Sequence, residues 1–418
     1  MFVDVLLTVV GVLALVVAAF SAVVRRLPLS GPLLALLAGV LLGPALFGVL
    51  DVPTVFDGHR ELHEATRLLL AVSVMAVALR YPIAAVRSRV RPVMLLLVVA
   101  MPVMALSTAG VAAATLGVGL GAAALLGAAL CPTDPVLASS AVTGEPAERD
   151  IPARTRQLLS LESGSNDGLA LPLVLAAVAV AGPLSGPEAL LTSVWQVVGA
   201  VALGGVVGWV AGRTLRRESA AGATEPGPLL VFTLLLALFV LGVSGLLHVD
   251  DVLAVFVSGL AFNAAGSVQE RSDENQVDEA VNRFVVLPLF VVLGAMLPWS
   301  QWAEFGWRGP LFLVGVLVLR RLPVLLLLGR FLRVRRRDAL FLGWFGPVGV
   351  SALLYLTLEA HRLGVDPTVL AAGTLAVAGS TVAHGLTSSP GRVWYAKAAR
   401  HGADRPARSD GRAAGSGP

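Results

Sequence analysis

The sequence has few charged residues for its length. Only 14% of the 418 residues are charged, whereas 56% are hydrophobic. Soluble domains carry roughly 25% charged residues, and so few charges cannot cover a water-facing surface. This composition excludes a soluble enzyme, a nucleic-acid-binding domain and a disordered scaffold. The natural solvent of the chain is therefore a lipid bilayer.

Cysteine is almost absent. The single Cys131 excludes an internal disulfide and a multi-thiolate metal site, and we expect it to be a packing residue. The sequence has no His/Cys cluster that suits a transition metal, so no cofactor is expected. The excess of 31 basic over 27 acidic residues is small and falls in short loops, where it sets membrane topology. We therefore expect no nucleic-acid partner.

Long apolar runs are what the sequence has instead. A membrane-spanning helix needs about 20 mainly apolar residues, and the runs lack strand-like alternation, so each is predicted to be a helix. The predicted fold class is an all-α polytopic membrane protein. Its transmembrane domain covers residues 1–389, and 390–418 are predicted to be a disordered cytoplasmic tail. The thirteen predicted spans are 2–24, 31–50, 66–80, 91–111, 118–142, 157–181, 190–212, 228–247, 251–265, 283–297, 310–329, 338–359 and 367–389.

The basic residues predict the orientation. With the N-terminus outside, 25 of the 31 Lys and Arg residues fall in inner segments and four in outer ones. Such a bias is typical of multi-pass proteins, whose inner loops are basic. The sequence thus predicts an outer N-terminus and a cytoplasmic C-terminus in a prokaryotic inner membrane.

A weak internal repeat links two spans. The pattern Pro-Val-x-x-Ser occurs at 135–139 in span five and again at 347–351 in span twelve. Seven spans separate the copies, so they run in opposite directions and predict inverted repeats of spans 1–6 and 8–13, with span seven as a linker. Helices broken at matching positions indicate a transporter's binding site. The alternative is chance, since proline is frequent in membrane helices.

Span five carries a polar pair where its helix should open. Pro132 and Pro135 flank Thr133 and Asp134, and proline removes a backbone donor and clashes with the preceding turn. A small cation could bind there to the backbone carbonyls that the opening frees, to the Thr133 hydroxyl and to the Asp134 carboxylate. Alternatively, Asp134 only caps the half-helix that begins at Pro135.

Span six contains two carboxylates, Glu162 and Asp167. Each costs roughly 2.5–3.5 kcal/mol to insert into a membrane and is functional by default. Ser163 shares one helix face with Asp167, and Asn166 shares an adjacent face with Glu162. A carboxyl group at the depth of Asp167 can hold a proton or a cation but rarely both, which is the chemistry of an antiporter. Oxygen ligands suit Na⁺, Li⁺ or K⁺; the alternative is a structural buried network.

Other polar residues complete the candidate set. Arg320 and Arg321 are the only mid-span cations, and we expect one of them to pair with Glu162. Asp250 and Asp251 could form an external cation vestibule, or a solvated helix N-terminus. His384 could titrate near neutral pH, or be a satisfied, hydrogen-bonded histidine.

Three stretches, 131–140, 161–169 and 345–350, resemble the monovalent cation:proton antiporter-1 family of sodium/proton exchangers. The resemblance is closest to the fungal plasma-membrane-type branch and its bacterial relatives, and 250–256 and 384–385 share it. It implies a homodimer of thirteen-helix protomers, each with a dimerisation domain and a core containing two crossed broken helices, spans five and twelve. It also implies elevator-like alternating access.

The resemblance also implies roles for residues that match the motifs. Asp167 looks like the cation and proton carrier, and Ser163 and Thr133 look like further ligands. Asn166 stands where electrogenic relatives have a second Asp, and Glu162 looks structural. Many exchangers have an Arg at the position of Val348, which pairs with the span-six Glu, although the fungal branch is aliphatic there. Some relatives supply a Glu from span three, whose end here has no carboxylate.

These observations predict a Na⁺(Li⁺)/H⁺ antiporter with electroneutral one-for-one exchange, and the alternative is a K⁺/H⁺ antiporter. The expected partners are a monovalent cation, a proton and the lipid bilayer. A channel is disfavoured, because a pore would need rings of polar residues along several spans. A remote alternative is an intramembrane hydrolase that uses Ser163 or Ser165 with His384.

Overall fold

The computed structural model describes residues 29–182, 184–220, 229–265 and 286–403, together with three isolated positions before residue 13. Throughout these ranges the regular structure is helical, and they contain no β-strand. The first predicted span, 2–24, lies outside the described residues apart from those three positions.

The helices before residue 221 follow the predicted order of spans. They are α1 Gly31–Leu42, α2 His59–Leu79, α3 Ile83–Leu95, α4 Met101–Leu116, α5 Leu120–Ala129, α6 Pro135–Val142, α7 Glu145–Asp150, α8 Ala153–Leu169, α9 Leu171–Ala181 and α10 Gly186–Ala220. The π-helical turn Leu96–Ala100 joins α3 to α4.

The helices after residue 228 complete the described chain. They are α11 Leu229–Leu247, α12 Asp251–Ala265, α13 Val286–Ala295, α14 Trp299–Glu304, α15 Arg308–Leu319, α16 Leu322–Leu328, α17 Arg336–Trp344, α18 Val350–Leu363 and α19 Pro367–Ala403.

Each of the twelve predicted spans that the structure describes overlaps one helix or consecutive helices. By length and composition, six helical segments could cross a membrane; they are His59–Leu79, Ile83–Leu116, Ala153–Ala181, Gly186–Arg217, Arg308–Leu328 and Pro367–Ala399. Shorter apolar helices include Gly31–Leu42, Leu120–Ala129, Val231–Leu247 and Asp251–Ala265. The prediction of a helical, multi-pass membrane protein is thereby confirmed at this level.

Local sequence explains where several helices begin and end. Helix α4 ends at Gly117, whose φ of +70° is the left-handed conformation that glycine adopts without strain. Helix α19 begins at Pro367, because the Asp366 side chain accepts hydrogen bonds from Thr368 N at 2.8 Å and Val369 N at 3.1 Å.

Three predicted boundaries were wrong. Helix α1 ends at Leu42, well before residue 50, because the chain turns at Gly43 and Pro44. Helix α2 begins at His59 rather than at residue 66, since its first turns are polar and lack the apolar signal. Helix α19 continues to Ala403, so 390–403 are not a disordered tail.

The extension of α19 is explained by packing. Tyr395 is completely buried, and its ring lies 5.2 Å from that of Phe341. Its hydroxyl donates a hydrogen bond to the Asp338 carboxylate. These contacts hold the end of α19 against α17. Residues 404–418 lie outside the described residues.

The distribution of polarity is the reverse of that in a soluble protein. Leu106, Leu191 and Leu327 each expose more than 70% of their surface, whereas Thr133 and Glu162 are buried. Large exposed apolar surfaces need a partner other than water. The outside of the helical body therefore suits lipid, and the polar chemistry lies within.

Helix α10 packs closely on α12 through glycines spaced four residues apart. A Cβ atom at Gly204 or Gly208 would collide with the backbone carbonyl of Ala254 or Ser258 respectively. Small residues at this spacing let membrane helices approach closely. Helix α12 in turn lies against Gly168 of α8, where a Cβ atom would come within 2.7 Å of Leu253 N. This packing fixes the position of α8.

Two of the predicted spans are interrupted by five consecutive non-helical residues. The first is interrupted at 130–134, between α5 and α6, and the second at 345–349, between α17 and α18. The prediction that the prolines open span five is confirmed. The two breaks touch, because the backbone N–H of Asp134 donates to the carbonyl of Pro347 at 2.9 Å. The matching Pro-Val-x-x-Ser segments therefore meet in space.

Candidate functional site

Asp134 lies where two half-helices begin. One carboxylate oxygen accepts a hydrogen bond from Leu137 N at 3.0 Å, in the first turn of α6. The other accepts from Val350 N, the first residue of α18. Helix N-termini stabilise an anion, so Asp134 caps both half-helices. The predicted capping of the half-helix at Pro135 is therefore present, and Asp134 also caps a second helix that the sequence did not indicate; cation binding by Asp134 stays a prediction.

Arg320 lies at the opposite ends of the same broken helices. Its Nη1 atom is 2.9–3.2 Å from the carbonyl oxygens of residues 130–132, where α5 ends. Its Nη2 atom donates to the carbonyl of Gly346, just beyond α17. A guanidinium presents several donors in a rigid fork, which lets one side chain satisfy both ends. Arg320 thus caps carbonyls and does not pair with Glu162.

Arg321 forms the expected ion pair with Glu162. Nη1 lies 2.6 Å from Oε1 and Nη2 lies 2.7 Å from Oε2, a two-pronged arrangement. The two side chains are 1% and 2% exposed, so the pair is fully desolvated. Its third anchor is the bond from Arg321 Nε to the carbonyl of Leu342, at 2.8 Å. The positive charge that balances Glu162 therefore comes from Arg321, since the aliphatic Val348 cannot provide one.

Thr133 and Asn166 tie the first break to α8. Asn166 Nδ2 donates to Thr133 Oγ1 at 2.9 Å, and Asn166 Oδ1 accepts from Thr133 N at 3.2 Å. The Thr133 hydroxyl also lies 2.8 Å from the Ser163 hydroxyl. Asn166 Nδ2 reaches Glu162 Oε1 at 3.2 Å as well. One network therefore joins the break to the Glu162–Arg321 pair.

Asp167 differs from these neighbours. It is completely buried, and neither carboxyl oxygen makes a hydrogen bond with any part of the chain that the structure describes. The Ser351 hydroxyl of α18 faces it, without reaching standard hydrogen-bond geometry. The Tyr355 hydroxyl donates instead to the backbone carbonyl of Asp167. Asp134 and Glu162 are bonded on both oxygens, which distinguishes Asp167 from these two carboxyl groups.

Two site residues, Ser351 and Tyr355, were missed by the sequence analysis. Ser351 is the last residue of the second Pro-Val-x-x-Ser segment, and the repeat was the signal that could have identified it. Tyr355 lies four residues further along α18, on the same face. Both approach Asp167 from the second broken helix.

Asp250 and Asp251 lie apart from this network, at the start of α12. Asp250 Oδ1 caps the helix by accepting from Leu253 N at 2.8 Å, as in the simpler of the two interpretations. Its other oxygen is buried without a partner among the described residues. Asp250, Asp251 and Tyr355 line one cavity of about 130 Å³, so the vestibule interpretation also stays open. Asp251 pairs with Arg67.

His384 is held by backbone carbonyls. Its Nδ1 lies 2.8 Å from the Ser380 oxygen and its Nε2 2.7 Å from the Trp344 oxygen. Trp344 is the last residue of α17, so His384 ties α19 to that helix. Its Nδ1 also lies 3.2 Å from the Ser380 hydroxyl, so both ring nitrogens have polar partners. In the described ranges, no group of three or more His, Cys, Asp or Glu residues could hold a metal ion.

Glu359 was not singled out from the sequence. It is 2% exposed, and both of its carboxyl oxygens are buried without a partner in the described chain. It lines a cavity of about 760 Å³ near the C-terminal end of α18. The sequence LTLEAH around it has no feature that distinguishes a buried acid from an exposed one.

Residues 11–391 match the family model described as sodium/hydrogen exchanger, transmembrane. The chain belongs to this family. Its members are antiporters, which are transporters and not enzymes, so the hydrolase alternative is wrong. The resemblance stated from the sequence motifs is confirmed.

Similar sodium/hydrogen exchangers include fungal and bacterial proteins. A probable Na⁺/H⁺ antiporter of Schizosaccharomyces pombe is 30% identical over 362 residues, which cover 82% of this chain and 47% of that protein. Na⁺/H⁺ antiporter 2 of Zygosaccharomyces rouxii is 30% identical over 375 residues, which cover 85% of this chain and 46% of that protein. K⁺/H⁺ antiporter NhaP2 of Shewanella sp. (strain MR-4) is 26% identical over 361 residues, which cover 82% of this chain and 58% of that protein. The chain spans about half the length of the fungal relatives.

A solved structure shares the fold of this exchanger-family chain. The sodium proton antiporter MjNhaP1 from Methanocaldococcus jannaschii, at pH 8, superposes with a TM-score of 0.73 at 18% sequence identity. The match covers 95% of this chain and 99% of that chain. At this identity the likeness establishes the all-helical fold.

Proposed function

We propose that this chain is a secondary active transporter that exchanges Na⁺ or Li⁺ for H⁺ at Asp167. The observation that carries the proposal is the contrast between Asp167 and the other buried acids of the network. Asp134 and Glu162 are bonded on both oxygens, whereas both oxygens of Asp167 lack a hydrogen bond to any described residue. The fungal relatives at 30% identity are described as Na⁺/H⁺ antiporters, which agrees.

The charges of the site support one-for-one exchange without net charge movement. Helix N-termini offset Asp134, carbonyl oxygens offset Arg320, and Arg321 neutralises Glu162. Of the charged groups of this network, Asp167 alone lacks a compensating group among the residues that the structure describes. An ionised carboxylate at this depth needs one positive charge, and either one proton or one monovalent cation supplies it. Asn166, at the neighbouring position, adds no charge.

The cation would be held by oxygen atoms near the two breaks. Ser351 faces Asp167 from α18, and the hydroxyls of Ser163 and Thr133 lie on the neighbouring turn of α8 and in the first break. Hydroxyl and carboxylate oxygens are ligands suited to Na⁺ and Li⁺. Release of the cation on one side leaves Asp167 to return in its protonated form.

We further propose that the two broken helices cross in the membrane, that the core moves by elevator-like alternating access, and that the protein is a homodimer. The proposed orientation places the N-terminus outside and the C-terminus in the cytoplasm. Its support is the excess of basic residues in the predicted inner segments. The cavity lined by His63 of α2, Asp250 before α12 and Arg362 of α18 agrees with a common side for these three predicted outer segments.

K⁺/H⁺ exchange is the second candidate, because the Shewanella relatives at 26% identity are described as K⁺/H⁺ antiporters. The same oxygen site serves either ion, and only transport measurements distinguish the two. The lower identity favours Na⁺ or Li⁺ as the cation.

The test uses purified protein in liposomes with an acidic lumen. Addition of Na⁺, Li⁺ or K⁺ outside should alkalinise the lumen, and the response should vanish in Asp167→Asn. The matched control is Asp51→Asn, which changes an exposed carboxylate outside the network and should exchange normally. An exchange current under voltage clamp of the membrane would contradict electroneutrality. Exchange that persists in Asp167→Asn would contradict the assignment of the carrier.

A further inference from the structure

A cavity of about 760 Å³ lies among four helix ends, where α9 and α18 end and where α5 and α19 begin. All four ends belong to predicted outer segments, so the cavity faces the predicted outer side. We call it the Glu359 cavity. Its volume lies within the range of sites that bind small organic molecules, which is about 300–1,000 Å³. Its large apolar lining residues are Leu125, Leu356, Leu363, Val369 and Leu370.

Glu359 is a buried acid in the wall of this cavity. The residue exposes only 2% of its surface, and neither carboxyl oxygen has a hydrogen-bond partner among the residues that the structure describes. An ionised carboxylate that is buried without a counter-charge is unfavourable. A cation with hydrogen-bond donors, placed in the cavity, would supply both the missing charge and the missing hydrogen bonds.

The other charges around the cavity offset each other. Arg362 and Asp366 also line it, and both are exposed; one is basic and the other acidic. The helix termini are balanced in the same way, because two N-termini and two C-termini surround the cavity. The charge of Glu359 is therefore the one that remains uncompensated, and a ligand with a single positive charge would balance it.

The composition of the wall does not suit a metal ion. Hard cations gather several oxygen ligands, whereas the only side-chain oxygens in the described wall belong to Glu359 and Asp366. Asp366 already accepts hydrogen bonds from two backbone N–H groups at the start of α19. An organic cation fits this wall better, because its apolar part can contact the leucine side chains.

We propose that the Glu359 cavity binds an organic cation that carries a primary ammonium group on an apolar chain. An ammonium of this kind has three N–H donors, enough to reach both oxygens of Glu359. A quaternary ammonium has no N–H donor and would leave both oxygens without a hydrogen bond. The primary ammonium belongs either to a soluble amine or to the headgroup of an aminophospholipid.

This site is separate from the proposed carrier. Asp167 does not line the Glu359 cavity. Glu359 lies on α18 one turn beyond Tyr355, whose hydroxyl bonds to the backbone carbonyl of Asp167. A ligand can therefore reach Glu359 without displacing anything from Asp167. The proposal goes beyond cation/proton exchange and does not depend on it.

The experiment titrates hexylammonium into the full chain in phosphatidylcholine nanodiscs and measures binding by isothermal titration calorimetry. Heats from nanodiscs without protein are subtracted, which removes partition of the ligand into lipid. The buffer is at about pH 8, where an ordinary carboxyl group is ionised and an alkyl ammonium keeps its proton. We expect saturable binding, and hexyltrimethylammonium should bind at least about tenfold more weakly, because it cannot form charge-assisted hydrogen bonds.

Two variants test the cavity itself. Glu359→Gln keeps the shape of the side chain but removes its charge, so the affinity for hexylammonium should fall at least about tenfold. Ala122→Phe leaves Glu359 in place and fills part of the cavity that Ala122 lines, so binding should fall as well. Glu304→Gln is the matched control, because this glutamate is exposed on α14 and does not line the cavity. It should bind as the wild-type chain does.

Asp167→Asn separates this proposal from the proposed function, since hexylammonium should bind to that variant with unchanged affinity. Absence of saturable binding to the wild-type chain would overturn the proposal. Full affinity in Glu359→Gln would also overturn it, and so would loss of binding in Asp167→Asn.

Nanodiscs that contain phosphatidylethanolamine identify the source of the ammonium group. If the lipid headgroup occupies the cavity, it competes with hexylammonium and lowers its apparent affinity in the wild-type chain. Equal affinity in the two kinds of nanodisc identifies a soluble amine as the ligand.

Discussion

Asp134 and Arg320 hold opposite ends of the same two broken helices. Asp134 accepts backbone N–H groups where α6 and α18 begin, and Arg320 donates to carbonyls where α5 and α17 end. Each charge is therefore matched by helix termini of the opposite polarity. This arrangement leaves both charged groups hydrogen-bonded inside the protein.

Replacement of Arg320 should destabilise the site. In Arg320→Met, the carbonyls that Arg320 bonds in both breaks lose a buried donor. Unsatisfied buried groups cost about 1–3 kcal/mol each, so we expect a loss of at least about 3 kcal/mol and loss of exchange. Thermal unfolding in detergent measures the first effect. Arg308→Met is the control, because this arginine is exposed at the start of α15, the helix that ends just before Arg320, and a similar loss there would contradict the assignment.

The Glu162–Arg321 pair should show strong coupling. Removal of one partner leaves a buried charge uncompensated, which costs about 3–5 kcal/mol. Glu162→Gln and Arg321→Met should each cause such a loss, and the double variant should be less destabilised than the sum of the two. A double-mutant cycle on unfolding free energies measures this coupling. Additive effects would show that the pair does not interact as described.

Gly349 should tolerate no side chain. A Cβ atom there would collide with the Asp134 carboxylate, so Gly349→Ala must push apart the two breaks. Overpacking of this kind costs about 1–3 kcal/mol, and we expect exchange to fall at least tenfold. Gly205→Ala is the matched control, since nothing lies within 4 Å of the added atom. Equal activity of the two variants in the liposome assay would be the contrary result.

Ser351→Ala should weaken cation binding without removing exchange. The Ser351 hydroxyl faces Asp167, and its loss removes one candidate oxygen ligand while the carboxyl stays. We expect the Na⁺ concentration for half-maximal exchange to rise several-fold. Ser73→Ala is the control, because it deletes another buried hydroxyl that lacks a hydrogen-bond partner among the described residues. An unchanged half-saturating concentration would remove Ser351 from the ligand set.

The sequence was sufficient where a local signal exists. Pro132 and Pro135 predicted the first break, and the repeated motif predicted where its counterpart lies. The two mid-span arginines limited the partner of Glu162 to two residues. Which arginine pairs with Glu162 could not be predicted, because both lie at the junction between α15 and α16, and only the packing of that junction against the two breaks decides between them.

The remaining features depend on long-range contacts that leave no local pattern. Arg320 bonds to backbone carbonyls about 190 positions away, and carbonyls are common to every residue. His63 Nδ1 lies 3.0 Å from Thr357 Oγ1, 294 positions away. The continuation of α19 depends on Tyr395 packing against Phe341, whereas its local sequence is rich in Gly, Ala and Arg. Such contacts follow from the fold and cannot be derived before it.

The hydrogen bond between Asp134 N and the Pro347 carbonyl couples the movement of one break to that of the other. It joins the two breaks directly, and the shared Asp134 and Arg320 caps reinforce the link. The four half-helices must therefore travel together in any motion that keeps these bonds. In the proposed elevator-like motion, a body that is polar inside and apolar outside would shift against the surrounding lipid, and the thickness of the hydrocarbon layer would oppose or favour that shift. The turnover rate of this protein should thus depend on the acyl-chain length of the bilayer that contains it.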